Sequence, residues 1–104
     1  MRSYSASMII VALLCSTTVQ AVPSQRQLKL FHANCAQCHV GESRFIPTLG
    51  KAEDWSERNH RGEDAMLQSV IQGRGGMPPA GYCSACTEDD LRALIRLLSG
   101  LTGE

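Results

Sequence analysis

The sequence predicts a small, all-α, loop-rich domain, and three observations carry that prediction. Apolar residues recur at helical spacing in several segments, no stretch alternates in the manner of a strand, and Gly and Pro cluster in two connections. The chain has 104 residues, with ten Lys plus Arg against ten Asp plus Glu. Such a balance argues against a nucleic-acid partner, whose phosphates need clustered cations.

The first residues read as a leader. Met1 to Ser7 is short and polar with one cation, Arg2, and the apolar run "MIIVALLC" follows from Met8 to Cys15. The polar patch "STTVQA" ends in Ala21, with Val19 two residues earlier, a pattern suited to cleavage after Ala21. The alternative is a buried N-terminal helix of a cytoplasmic protein, but cation, apolar run and small residues stand in export order. The run is well short of the roughly 20 residues a membrane-spanning helix needs, so no permanent insertion is expected. Cys15 follows Leu14, where a lipid-attachment site carries a small residue, and is read as part of the leader. Residues 22–104 then form one domain, and chains of that size usually gain help from a metal, a cofactor or disulfides.

Four helices are expected in that domain. The first runs from Ser24 to Ala36, with Leu28, Phe31 and Cys35 on one face. A loop from Gly41 to Gly50 leads to a short polar helix over Ala52 to Arg58. "GEDAMLQSVIQG", Gly62 to Gly73, places Met66, Leu67, Val70 and Ile71 on a stripe behind two acids in the first turn. "TEDDLRALIRLL" opens with Thr87 and Asp90 as an acidic capping box. Leu91, Leu94, Ile95 and Leu98 follow as a core-facing stripe, Arg92 and Arg96 lie on the other side, and Gly100 stops the helix.

Four cysteines fall in two pairs, Cys35/Cys38 and Cys83/Cys86, and three chemistries compete for them. Two C-x-x-C pairs can supply four thiolates to zinc and make an interaction module. Here the pairs lie far apart, and an oxidising compartment competes for the thiols. A thiol–disulfide couple needs a lowered thiol pKa, yet Cys35 falls near a helix C-terminus, where the dipole disfavours thiolate. The third chemistry uses His39, because C-x-x-C-H is the attachment signature of c-type haem. Two thiols one turn apart reach the two vinyl groups, and the adjacent imidazole falls under the iron.

A second ligand is suggested by "GRGGMPPAG", Gly73 to Gly81, where Met77 carries a soft thioether. Pro78 pushes Met77 toward extended backbone, and Pro79 further restricts the loop. Gly73, Gly75 and Gly76 are expected to let backbone run close to a flat macrocycle. The alternative is an ordinary apolar methionine in a loop.

With "CAQCH", Pro47, "AEDW", "GRGGMPPAG" and "CSAC" in place, nearly all of residues 26 to 99 resembles the class I c-type cytochromes, and within them the small bacterial cytochrome c5 group. The resemblance implies a cytochrome c fold wrapped around one covalent haem c per chain, with His39 and Met77 as axial iron ligands. It assigns the carbonyl of Pro47 as acceptor for the second ring nitrogen of His39, which selects the tautomer that leaves Nε2 for iron. It also implies a local Cys83–Cys86 disulfide. Trp55, through its indole N–H, and Arg58 are candidates for haem propionate contacts, weighed equally against core packing and a solvated helix face. His60 is read as exposed and only a remote sixth ligand, and His32 as structural or solvated.

A six-coordinate iron leaves no open position for substrate, so the expected function is one-electron transfer by an exported, monomeric, periplasmic carrier and not an enzyme. Its partners would be transient redox proteins such as respiratory-chain donors and acceptors, docking weakly near Cys35 and Cys38. An iron left open by Met77 would instead imply peroxidase or gas-sensing activity.

Overall fold

The structure is a computed structural model and describes residues 1–16 and 22–101. The cleavage site expected after Ala21 lies outside the described residues. Residues 1–16 carry no regular secondary structure, and the apolar side chains of Met8, Ile9, Ile10, Leu13 and Leu14 stand exposed, away from the core. No helix among the described residues is long and apolar enough to cross a membrane.

The fold is all-α. α1 (Gln25–Leu30) runs through a π-helical turn (Phe31–Cys35) directly into α2 (Ala36–His39). α3 (Ala52–Arg61), α4 (Glu63–Gln72), a short 3-10 turn (Pro79–Tyr82) and α5 (Glu88–Ser99) follow. Strand pairing among the described residues is limited to a single bridge between Arg74 and Met77.

Two of the helices, α1 and α5, start where their sequence supplies side-chain acceptors for free N–H groups. Ser24 and Gln27 form a reciprocal capping box at α1, and Thr87 and Asp90 form the acidic version at α5. The expected stripe of α5 supplies half of the core: Leu91, Leu94, Ile95 and Leu98 are buried with Phe31, Trp55, Met66 and Leu67. Cys35, Leu49 and Ala80 pack against this core. One apolar centre therefore carries the cysteine pair, the loop after it and the loop around Met77.

Two expectations change. Leu28 is exposed, because α1 turns Gln27, Leu30 and Phe31 inward once Arg26 and Gln27 bond to Asp90 of α5. Leu28 is one residue off that face, about 100° around the helix. Ile71 is exposed as well, at the end of α4, while Val70 packs on the core. Arg92 and Arg96 do lie off the apolar stripe, but they are not simply solvated. Arg92 reaches Glu63, Asp64 and Glu88, and Arg96 reaches Glu63, so the acids of the α4 first turn tie α4 to α5. These bonds hold the Glu63 carboxyl below its ordinary pKa, Arg96 contributing most.

Candidate functional site

Cys35, Cys38 and His39 sit on the last turns of the helical run that begins at Gln25. The π turn ends on Cys35, with the amide of Ala36 donating to the carbonyl of Phe31 instead of one residue nearer. Single π turns of this kind recur at functional sites. Nothing in the propensities of "FHANC" signals it, so the sequence reading placed an ordinary helix there. Cys35 and Cys38 are unbonded, Cys35 half-buried and Cys38 exposed. Burial, and then the neighbouring Cys38, pushes the Cys35 thiol up from its ordinary value.

His39 is buried, and its Nδ1 donates to the carbonyl of Pro47 at 2.7 Å. A carbonyl only accepts, so in the neutral ring the proton is on Nδ1 and the Nε2 lone pair is available. The amide of Leu49 donates to the carbonyl of His39 at 2.8 Å, pinning the loop to the helix end from the other side. Beyond it the chain reverses through Thr48–Lys51, whose amide returns to the carbonyl of Thr48 at 3.1 Å. Gly50, at φ 79°, supplies the left-handed position such a turn needs.

Trp55 and Arg58 both donate to backbone carbonyls near this loop. The one indole N–H donates to the carbonyl of Thr48 at 2.8 Å, and the ring lies 6.0 Å from the imidazole of His39. With its donor on Thr48 and its ring in the core, Trp55 braces the loop, in line with the core-packing alternative. Arg58 turns Nη1 onto the backbone carbonyl of Asp54 at 2.6 Å, although it also lines a groove with Ser43, Arg44, Phe45, Ile46, Pro47 and Asp54. His60 and His32 are exposed, and His32 stands edge-on to Phe31.

Met77 is half-buried in a tight loop, its N–H and C=O exchanging bonds with Arg74 at 3.0 and 3.1 Å. Of the three glycines expected to allow close approach, only Gly73 is crowded. A Cβ there would stand 2.8 Å from the carbonyl oxygen of Met77 and 2.9 Å from the nitrogen of Pro79, at a φ of 76°. Gly75 and Gly76 face open space. The close approach is therefore of the loop to itself. Past Pro79 the backbone turns left-handed at Ala80, Gly81 and Tyr82, two of which carry a Cβ and bear the associated strain. The Met77 methyl reaches toward Gly81, where an added Cβ would lie 3.7 Å away. This turn contacts the π turn that ends on Cys35.

Cys83 and Cys86 are bonded to each other, with Cα atoms 5.4 Å apart, and Cys83 is buried. Among the described residues no group of three or more His, Cys, Asp or Glu side chains is placed to hold a metal ion. With Cys83 and Cys86 bonded to each other, two of the four thiols that a zinc site would need are taken. The donors that remain are two unpaired thiols one turn apart, a buried imidazole with a free Nε2, and a thioether on a braced loop. This set fits a haem attached through two sulfurs.

Known proteins resemble much of this chain. The family model described as cytochrome C oxidase, cbb3-type, subunit III matches residues 24–98. The chain is 39% identical over 70 residues to cytochrome c5 of Ectopseudomonas mendocina, covering 65% of this chain and 80% of the relative. It is 35% identical over 69 residues to cytochrome c5 of Azotobacter vinelandii, covering 64% and 83%. A solved structure, the electron transfer complex of nitrite reductase with cytochrome c, superposes with a TM-score of 0.65 at 32% identity, over 75% of this chain and 95% of that one.

Proposed function

The chain belongs to the class I c-type cytochromes, close to the cytochrome c5 group, and on that premise we propose that it is an exported carrier whose haem is held covalently by Cys35 and Cys38 and axially by His39 and Met77. It is a single-haem electron carrier and not an enzyme. A bound haem c supplies a one-electron couple; the remaining work belongs to the polypeptide.

The observation that carries the ligand reading is the bond from His39 Nδ1 to Pro47, which leaves Nε2 as a fixed, unprotonated donor on the same turn as two free thiols. Pro47 orients the ring, and Trp55, through Thr48, orients the loop that carries Pro47. Met77 supports the second axial position. Its loop is closed by the Arg74 bonds, crowded at Gly73 and followed by two prolines, so little freedom would be regained by letting the sulfur swing away. Keeping both ligands in both oxidation states limits the rearrangement that accompanies each transfer.

The leader and its removal after Ala21 would deliver the domain to the periplasm, where covalent haem and the Cys83–Cys86 bond are both compatible with an oxidising environment. The partners are transient redox proteins such as respiratory-chain donors and acceptors. The structural relative seated on nitrite reductase supports that mode of action.

The test is ligand removal. Reduced wild-type protein should bind carbon monoxide slowly, while Met77→Ala should bind it rapidly and show a lowered reduction potential. Equal carbon monoxide binding and identical optical spectra for the two proteins would remove Met77 from the site.

A further inference from the structure

One peptide unit in the loop after His39 is held at both ends. The Pro47 carbonyl accepts from His39 Nδ1 at 2.7 Å, and the Thr48 N–H of the same planar amide donates to Oδ2 of Asp54 at 3.0 Å. The two ends of an amide are not independent, because the C–N bond has partial double-bond character. An anion on the N–H side favours the form with more negative charge on oxygen. Hydrogen bonds chained in this way strengthen one another, by about 10–30% per bond in the condensed phase.

We propose that Asp54 is a positioning residue for His39: through the Pro47–Thr48 peptide its carboxylate strengthens the Nδ1–H bond and so raises the donor power of Nε2. This rests on His39 being the axial ligand proposed above.

The local geometry serves this arrangement. Asp54 is the third residue of α3, where an acid ordinarily reaches back to the N-cap amide. Here the N-cap amide, that of Lys51, is taken by the carbonyl of Thr48, and the Asp54 carboxylate reaches six residues back to the amide of Thr48. The carbonyl of Thr48 is fixed by Trp55, and the backbone of Asp54 by Arg58. Arg58 thus spends Nη1 on the Asp54 carbonyl and leaves the carboxylate alone; among the described residues Asp54 forms no ion pair. Any polar acceptor would satisfy the Thr48 amide. A charged one does more, since a hydrogen bond to an ionised acceptor is roughly twice as strong as a neutral one.

Asp54→Asn separates the two roles, because the amide oxygen still accepts from Thr48 while the charge is gone. In the reduced, diamagnetic holoprotein, the His39 Nδ1–H proton resonance should move upfield, reporting a weaker bond. The midpoint potential should rise, because a weaker imidazole donor favours the oxidised iron less. The thermal midpoint should stay close to wild type. Glu53→Gln removes the same charge from the adjacent, exposed residue without touching Thr48, and should leave the Nδ1–H resonance in place. An unmoved Nδ1–H resonance in Asp54→Asn would overturn the proposal. So would a Glu53→Gln variant that moves resonance and potential as far as Asp54→Asn does, since the effect would then be long-range charge. Failure of the ligand assignment itself would look different: His39→Ala would retain the wild-type haem spectrum.

Discussion

The chain uses C-x-x-C twice, and the two copies meet opposite fates. Cys35 and Cys38 lie on helical backbone, unbonded, four residues and one residue before His39. Cys83 and Cys86 follow a left-handed turn, and Cys86 donates its amide to the carbonyl of Cys83 at 3.3 Å as the sulfurs join. The same spacing thus leaves two thiols free in one place and closes a loop in the other. What differs is the backbone beneath it. On a helix the i, i+3 side chains project along one face beside the next residue's imidazole; in a turn they point at each other. Arg26 links the regions, because its guanidinium bonds both Asp90 at 2.7 Å and the carbonyl of Ala85, inside the second pair, at 3.0 Å.

The largest expected effect would break this contrast outright. Cys35→Ser with Cys38→Ser should abolish haem retention through denaturing extraction, whereas Cys83→Ser with Cys86→Ser should leave it intact. Haem staining of denatured protein reads both. The reverse result would exchange the roles of the two pairs.

A smaller effect concerns stability. Losing the Cys83–Cys86 bond, which closes a very short loop, should lower the unfolding free energy by about 2 kcal/mol at most, with little change in denaturant slope. Chemical unfolding of the double-serine variant measures it. A much larger loss would mean that the bond also holds the strained left-handed turn in place.

The smallest effect sharpens the link between the regions. The Thr87 amide, then Arg26 and Gln27, hold the Asp90 carboxyl far below the usual carboxylate range. A depressed folded pKa stabilises the native state above the unfolded value and is lost on acidification. Stability should therefore be level near neutrality and decline as pH falls below about 4, the ordinary Asp range. Asp90→Asn should be less stable at neutral pH and show a shallower decline, read from urea midpoints across that interval. Parallel curves for the two proteins would deny Asp90 its part in the clamp.

Much of this molecule is legible in the order of its residues. The α5 stripe announces itself because Leu91, Leu94, Ile95 and Leu98 recur at helical spacing behind a capping box, and all four are buried. His39 is legible for a similar reason, since its chemistry depends on neighbours one and four residues away. Leu28 was misread, and the Thr48 acceptor of Trp55 was not foreseen, because each depends on partners brought in by the fold. The face that α1 presents was chosen by Asp90, 64 residues from Arg26, and the indole N–H was claimed by a carbonyl seven residues back.

By itself, then, the sequence determined the helical content, the attachment motif, the methionine loop and the two cysteine pairs. All of these rest on short-range spacing, and spacing is covalent information. The family resemblance implied the Cys83–Cys86 bond; only the tertiary structure decided that a π turn runs into Cys35 and that the Asp54 carboxylate meets the Thr48 amide behind His39. The physical reason is that a hydrogen bond needs an acceptor within about 3 Å and in line. Where a loop brings that acceptor is settled by packing around the shared core.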